Sequence, residues 1–271
     1  MRILPTLDRD AVRAGFDALA ARPEVAVDHV RFRRDLVESQ WAMLDRHPDP
    51  ADPRDEAPMR FALSALRERL AAGGRDTRLP DRVIRDVAGD PAARTAWLDA
   101  SLADPNGGAL ASLSARLDVP AEALAFLGGI VAAPFAYVRA RSRAANDHPE
   151  AVAGRCFACG ALPGLALITP PDGRRVLCCG SCGARWEQPR LACPGCRSSG
   201  AMTALRVPDV PDVRVESCDT CRGALVTVDL RPRVSSEAPV LPLVERTAAL
   251  AMDLLIEQDG LTILHPYCAM L

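Results

Sequence analysis

The sequence predicts an α+β protein: an all-α N-terminal domain, two tandem rubredoxin-like or zinc-ribbon modules, and a closing C-terminal helix. Three observations carry that prediction. Apolar residues recur at three- and four-residue intervals up to about residue 146, none of the ten cysteines precedes Cys156, and the remainder interleaves C-x-x-C pairs with short β-branched runs. The expected domains are 1–150, helical; 151–190, the first module; 191–234, the second; and 235–271, the closing helix and tail.

The helical half divides into periodic segments: "DRDAVRAGFDALAARP", "VDHVRFRRDLVESQWAMLDRH", "PMRFALSALRERLAAGG", "PAARTAWLDASLADP" and "PAEALAFLGGIVAAPFAYVRARSRAAND". Pro58, Pro91 and Pro120 sit where a first-turn proline is tolerated, and Gly73 and Gly107 fall at ends, so six or seven helices are expected. Trp41, Trp97 and Phe126 lie on apolar faces and read as core. The stretch "HPDPADPRDEAP" (47–58) has four prolines and reads as a loop, and 141–154 carries the chain to the cysteines.

Beyond Cys156 the strands are short: "LALIT", "RRVLC", "ARWEQ", "TALRV", "VRVES" and "ALVTVDL", separated by turns such as "PPDG". The segment "PLVERTAALAMDLLIEQDG" returns to helical spacing, with Gly260 as its C-terminal cap.

With 49% apolar and 25% charged residues in 271, the composition is that of a folded globular chain. All 33 basic residues are arginine. Ala, Pro and Gly are also abundant, so the skew reads as genomic composition rather than phosphate recognition. The first twenty residues lack a secretory signal pattern, which places the expected location in the cytoplasm. The most apolar run, Ala123 to Val138, is shorter than the ~20 residues that cross a bilayer and reads as a buried core helix kinked near Pro134.

The four C-x-x-C pairs are Cys156/Cys159, Cys179/Cys182, Cys193/Cys196 and Cys218/Cys221. Between the first and second, and between the third and fourth, lies enough chain for a β-hairpin. A knuckle, a hairpin and a second knuckle place four thiolates around one tetrahedral metal ion. The pairs therefore group as one with two and three with four, giving two tetrahedral metal ions, each held by four cysteines. Iron and zinc both suit such a site, and spacing does not separate them. Units this small need such an ion to fold. In the doublet "CCGSCG", Cys179 keeps the two-residue gap and is the ligand, while Cys178 points to the opposite face of its strand and packs as a small apolar residue.

A four-cysteine site leaves no open position, so it is structural, or carries electrons if iron fills it, and is not hydrolytic. The histidines His29, His47, His148 and His265 are scattered and read as surface or capping residues. With no phosphate loop or nucleophile motif in the chain, neither an enzyme nor a small-molecule substrate is expected. Nucleic-acid binding is disfavoured. Residues 151–234 hold 11 Arg against seven acids, an excess of four that two four-thiolate zinc centres of charge −2 would cancel, and only Phe157 and Trp186 are aromatic there.

The order of parts resembles the FdhE family, accessory proteins required to form active formate dehydrogenase. The resemblance runs from about residue 100 onward and is carried by the knuckle series with "CGARW" after the second pair, by "VESCDTC" and by "LAMDLL" (250–255). It implies two adjacent rubredoxin-like folds, iron as the metal, the eight cysteines as ligands, and binding to the catalytic subunit of a respiratory formate dehydrogenase in the cytoplasm before export. An iron protein passing electrons during maturation is the alternative, and a nucleic-acid-binding ribbon the weaker one. The resemblance gives no role to His265 or Cys268, and Cys268 reads as an incidental free thiol.

Overall fold

The computed structural model describes residues 2–4, 8–23, 25–103, 108–143, 154–206, 210–233, 240–249 and 251–265. The connection 144–153, with His148, lies outside them, as do Gly107, Leu250 and Cys268. The described residues up to Val30 and from Ala140 onward form one compact unit, and Arg31–Arg139 another.

Seven α-helices lie in the described N-terminal half: α1 (Arg9–Ala20), α2 (Val27–Arg46), α3 (Glu56–Ala72), α4 (Arg78–Asp86), α5 (Pro91–Ala103), α6 (Ala111–Leu117) and α7 (Ala121–Arg143). Those of the unit Arg31–Arg139 share one core. Met59, Leu63, Leu66 and Leu70 recur along α3 at intervals of four, three and four, and meet Val83, Trp97, Leu98, Leu124 and Val131. Each such side chain taken out of water contributes about 1.5–3 kcal/mol.

Among the described residues, α7 is the one helix long and apolar enough to span a bilayer, but its most apolar stretch is 61% buried within the protein. Leu124, Leu127, Ile130, Val131 and Ala133 all lie in the core, so its apolarity serves packing. The helix runs through Pro134. Proline has no N–H to offer the carbonyl four residues back, which is that of Ile130. Buried Gln40 on α2 donates its Nε2 to this oxygen at 3.0 Å. Gln40→Leu, which leaves the carbonyl without that donor, is expected to cost about 1–3 kcal/mol, measurable as a lowered midpoint in denaturant with an unchanged slope.

The strands are β1 (Arg2–Ile3), β2 (Pro163–Thr169), β3 (Arg174–Cys179), β4 (Arg185–Glu187), β5 (Met202–Arg206), β6 (Val213–Cys218), β7 (Gly223–Asp229) and β8 (Thr262–Ile263). All six strands read from the sequence are present. They do not form separate hairpins. One sheet runs in the order β1-β4-β3-β2-β7-β6-β5, with β8 beside β7. Each cysteine module contributes an antiparallel three-stranded meander, and the two join through the parallel pairing of Ala166–Ile168 with Thr227–Asp229. β7 is buried along its whole length and β2 at all but its last residue. That explains why "LALI" and "ALVTV" read as largely apolar runs rather than alternating ones.

Two elements from outside the modules extend the sheet. Arg2 pairs with Trp186 and Ile3 with Arg185, while Thr262 and Ile263 pair with Gly223 and Ala224. Helix α1 also belongs with this unit, because its Gly15 lies under Leu241 and Val244. Helical periodicity gives no sign of either association.

The closing segment is two helices rather than the single one its spacing suggests: α8 (Pro242–Ala248) and α9 (Ala251–Gln258). Arg246 on α8, itself buried, pairs with Asp253 on α9 across the break. Residues seven apart share one face of a continuous helix, so the periodicity of the segment could not reveal the interruption.

Candidate metal centres

The structure brings the eight knuckle sulfurs into two groups of four, Cys156, Cys159, Cys179 and Cys182 in one and Cys193, Cys196, Cys218 and Cys221 in the other. Within each group all sulfurs lie within 4.8 Å of one another. Cross-knuckle separations are 3.6 Å for Cys156–Cys182, 3.4 Å for Cys159–Cys179, 3.7 Å for Cys193–Cys221 and 3.6 Å for Cys196–Cys218. A disulfide would require about 2.05 Å. A tetrahedron of thiolates about 2.3 Å from a central ion has edges of about 3.8 Å, which is close to the observed spacing. Each group could therefore hold one metal ion.

The local backbone explains how a loop of four residues aims two thiols inward. In three knuckles the N–H of the residue after the second cysteine donates to the carbonyl of the first: Gly160 to Cys156, Arg197 to Cys193, and Arg222 to Cys218, at 2.8–3.0 Å. The turn thereby exposes amide hydrogens to sulfur. Ala158, Ser181, Cys182 and Gly195 each donate N–H to a cysteine Sγ at 3.3–3.4 Å. Such donors favour the thiolate over the thiol.

The residue after the second cysteine adopts positive φ in all four knuckles: Gly160 at 81°, Gly183 at 76°, Arg197 at 69° and Arg222 at 58°. The first module uses glycine there, and the second uses arginine, which costs about 1–2 kcal/mol in that region. No contact of the Arg197 side chain offsets that cost among the described residues, so Arg197→Gly should relieve strain and gain roughly 0.5–1 kcal/mol net of the added chain entropy. Arg222 differs because its Nη2 holds the Asp259 carbonyl at 2.6 Å. Arg222→Gly should gain less or nothing. Equilibrium unfolding of the two variants side by side checks the difference.

The thiols of each group are electrostatically unequal. Hydrogen bonds from Cys159, Cys179 and Cys182 hold the Cys156 thiol far below its ordinary range, whereas burial holds Cys179, and the contact with Cys156 holds Cys182, far above theirs. In the second group burial pushes Cys221 up to about 12. At Cys218 burial opposes ionisation but the Ser198 hydroxyl and the N–H groups of Cys221 and Thr220 outweigh it, lowering the thiol to about 6. The Ser198 hydroxyl also lowers the Cys196 thiol, while burial raises that of Cys193, so two thiols of the second group are held down and two up; a central cation would let all four of either group ionise together.

Cys178 lies outside both groups. It is fully buried in β3, between Leu165 of β2 and Arg185 of β4 in the register, and burial pushes its thiol up to about 12. That is the environment of a neutral packing residue.

His265 corrects the expectation that the histidines are surface or capping residues. It is buried, its Nε2 lies 3.1 Å from Ser181 Oγ, and it packs so closely on the second knuckle that a Cβ on Gly180 would fall 2.3 Å from its Nδ1. The preceding residue, Leu264, covers Gly195 and Gly223 beside the other group. The chain after β8 thus lies along knuckles of both groups. Sequence reasoning also missed Ser198, whose hydroxyl lies 3.1 Å from Cys196 Sγ and 3.3 Å from Cys218 Sγ. A serine two residues after a knuckle was the only signal available.

A buried charge network stitches the two meanders together. Arg175 of β3 meets Glu216 of β6 at 2.8 Å, Arg214 meets the other Glu216 oxygen at 2.8 Å, and Arg214 lies 3.7 Å from Asp229 of β7. Asp229 is also held by the more exposed Arg231, at 2.5 and 2.9 Å, so three guanidiniums meet two carboxylates.

No family model matches the chain. Among curated proteins it is similar to a protein FdhE homolog of Pseudomonas putida, 28% identical over 171 residues, 59% of this chain and 52% of that protein. It is also similar to one of Shewanella baltica, 32% identical over 116 residues, 41% and 37% of the two chains, and to one of Rhizobium meliloti, 29% identical over 150 residues, 52% and 47%. The chain spans about half the length, or less, of these curated relatives. The crystal structure of the FdhE protein from Pseudomonas aeruginosa superimposes with a TM-score of 0.55 and 25% identity, covering 98% of both chains. The chain is similar to FdhE proteins, and to the solved one along nearly its whole length. In this chain, helices are followed by a strand-rich region holding two four-cysteine groups and a closing helical segment.

Proposed function

We propose that this FdhE relative is an accessory protein for the formation of formate dehydrogenase, a non-catalytic partner that binds the catalytic subunit in the cytoplasm before export. In this reading Cys156, Cys159, Cys179 and Cys182 hold one zinc or iron ion, and Cys193, Cys196, Cys218 and Cys221 hold another. The single observation that supports it most is the pair of four-sulfur groups embedded in one fused sheet, in a chain whose full length resembles a solved FdhE structure. Four thiolates per ion leave no position for a water or substrate, so the ions stabilise a surface rather than perform chemistry on a ligand. Such a surface suits a macromolecular client.

The test uses the full chain, tagged at its own locus in cells induced to make formate dehydrogenase. Its purification should bring down the catalytic subunit, and deletion should abolish formate oxidation. A clean preparation without that subunit, together with unchanged formate oxidation in the deletion strain, would remove the proposal.

A further inference from the structure

We infer that the two metal sites are kinetically unequal: the Cys193/Cys196/Cys218/Cys221 ion exchanges with thiol or chelator ligands in solution, while the Cys156/Cys159/Cys179/Cys182 ion is locked in. The inference rests on the reading that each group of sulfurs holds one ion. It is carried by a difference in access that the shared spacing of the knuckles conceals.

In the first group Cys156, Cys179 and Cys182 are buried and Cys159 is only partly accessible. Its surroundings are closed from several directions. Phe157 inside the first knuckle is buried beneath the Arg2 guanidinium, 5.4 Å from its ring centroid, and the strand carrying Arg2 pairs with β4. Ser181 inside the second knuckle is buried and lies against His265. An incoming ligand has no direct line to three of the four sulfurs.

In the second group the outer cysteine of each knuckle, Cys196 and Cys221, is exposed, while Cys193 and Cys218 are buried. The exposed pair comes from opposite knuckles, so one edge of the tetrahedron is open to solution. Leu264 shields the Gly195 and Gly223 side. Ligand exchange at a d10 or high-spin ion proceeds by adding an entering thiolate or chelator atom at an accessible edge and releasing one protein thiolate, with no change in oxidation state. Cys196 is the ligand best placed to leave, because Ser198 Oγ lies 3.1 Å from its sulfur and can support the freed thiolate by donating a hydrogen bond. An entering thiol would then displace Cys221 from the same side.

Both ends of the comparison can be read in one experiment. The full chain is loaded with zinc, its stoichiometry is measured, and it is exposed to 4-(2-pyridylazo)resorcinol together with N-ethylmaleimide. The expected result is release in two phases of one ion each, the faster at least tenfold faster than the slower. Peptide mass spectrometry of samples quenched after the fast phase should find Cys196 and Cys221 alkylated, with Cys156, Cys179 and Cys182 protected. A single release phase for both ions, or first-group cysteines alkylated before the second, would overturn the inequality while leaving two metal sites intact. Fewer than two ions per chain in the starting protein would overturn the metal reading and this inference with it.

Discussion

The Cys179→Ser protein is expected to lose the cooperative fold of the whole sheet, not merely that of one knuckle. Cys179 is fully buried, its sulfur accepts N–H from Ser181 and Cys182, and it lies 3.4 Å from Cys159 Sγ across the group. A serine hydroxyl stays protonated at neutral pH, is a poor ligand for a thiophilic ion, and leaves three thiolates crowded without their fourth partner. Binding energy of roughly 10–16 kcal/mol for a structural zinc ion in a small module acts as folding energy, as large as the roughly 5–15 kcal/mol by which an ordinary domain is stable. Because β2 and β7 pair directly, damage to the first module reaches the second through Ala166–Ile168 and Thr227–Asp229. Hydrogen exchange should therefore show lost protection in β2, β3, β6 and β7, while amides around Leu63, Leu98 and Val131 in the separate helical core stay protected. Cys178→Ala is the control: it should still bind two ions per chain and lose about 1 kcal/mol or slightly more from a small cavity. If Cys178→Ala loses an ion and Cys179→Ser keeps both, the ligand has been misassigned.

Much of this arrangement is legible in the chain itself. A C-x-x-C spacing encodes a local turn, and the interval between two such turns encodes a hairpin, so the grouping of eight cysteines into two sets follows from short-range geometry. The same holds for strands like "ALVTVDL", whose β-branched runs are their own signal. What stays hidden is whatever depends on contacts far apart in sequence. Nothing in "RIL" marks Arg2 and Ile3 as an edge strand, and two residues are too few for any period to register. The parallel seam between β2 and β7 joins residues about sixty apart, and both strands are largely apolar, so neither face nor partner is specified by alternation. His265 illustrates the same limit from the functional side: its identity was visible but its burial against Ser181 depends on β8 first docking on β7. The unequal exposure of the two sulfur groups is equally invisible, because identical spacing can sit in unequal surroundings.

The charge network across that seam leads to the second large effect. Glu216 faces Arg175 and Arg214 at 2.8 Å each, and the side chains of all three are 0–10% exposed. Burial alone lowers the affinity of the Arg175 guanidinium for its proton, and Glu216 is the first group opposing that trend. Removing the carboxylate by Glu216→Ala leaves buried Arg175 without its carboxylate and Arg214 with only Asp229, which Arg231 already holds, and breaking a buried pair in this way costs about 3–5 kcal/mol. Glu216→Gln keeps the shape but not the charge, so it should fall between wild type and alanine. A purely apolar replacement of the set, Arg175→Met with Arg214→Leu and Glu216→Met, should recover most of the loss, since the attraction mainly offsets its own desolvation. These stabilities are to be compared with both metal sites loaded, since the network and the ions hold the same sheet. A Glu216→Ala protein as stable as wild type would show that the buried charges are satisfied without one another. The fused sheet would then rest on its backbone ladder and its ions alone.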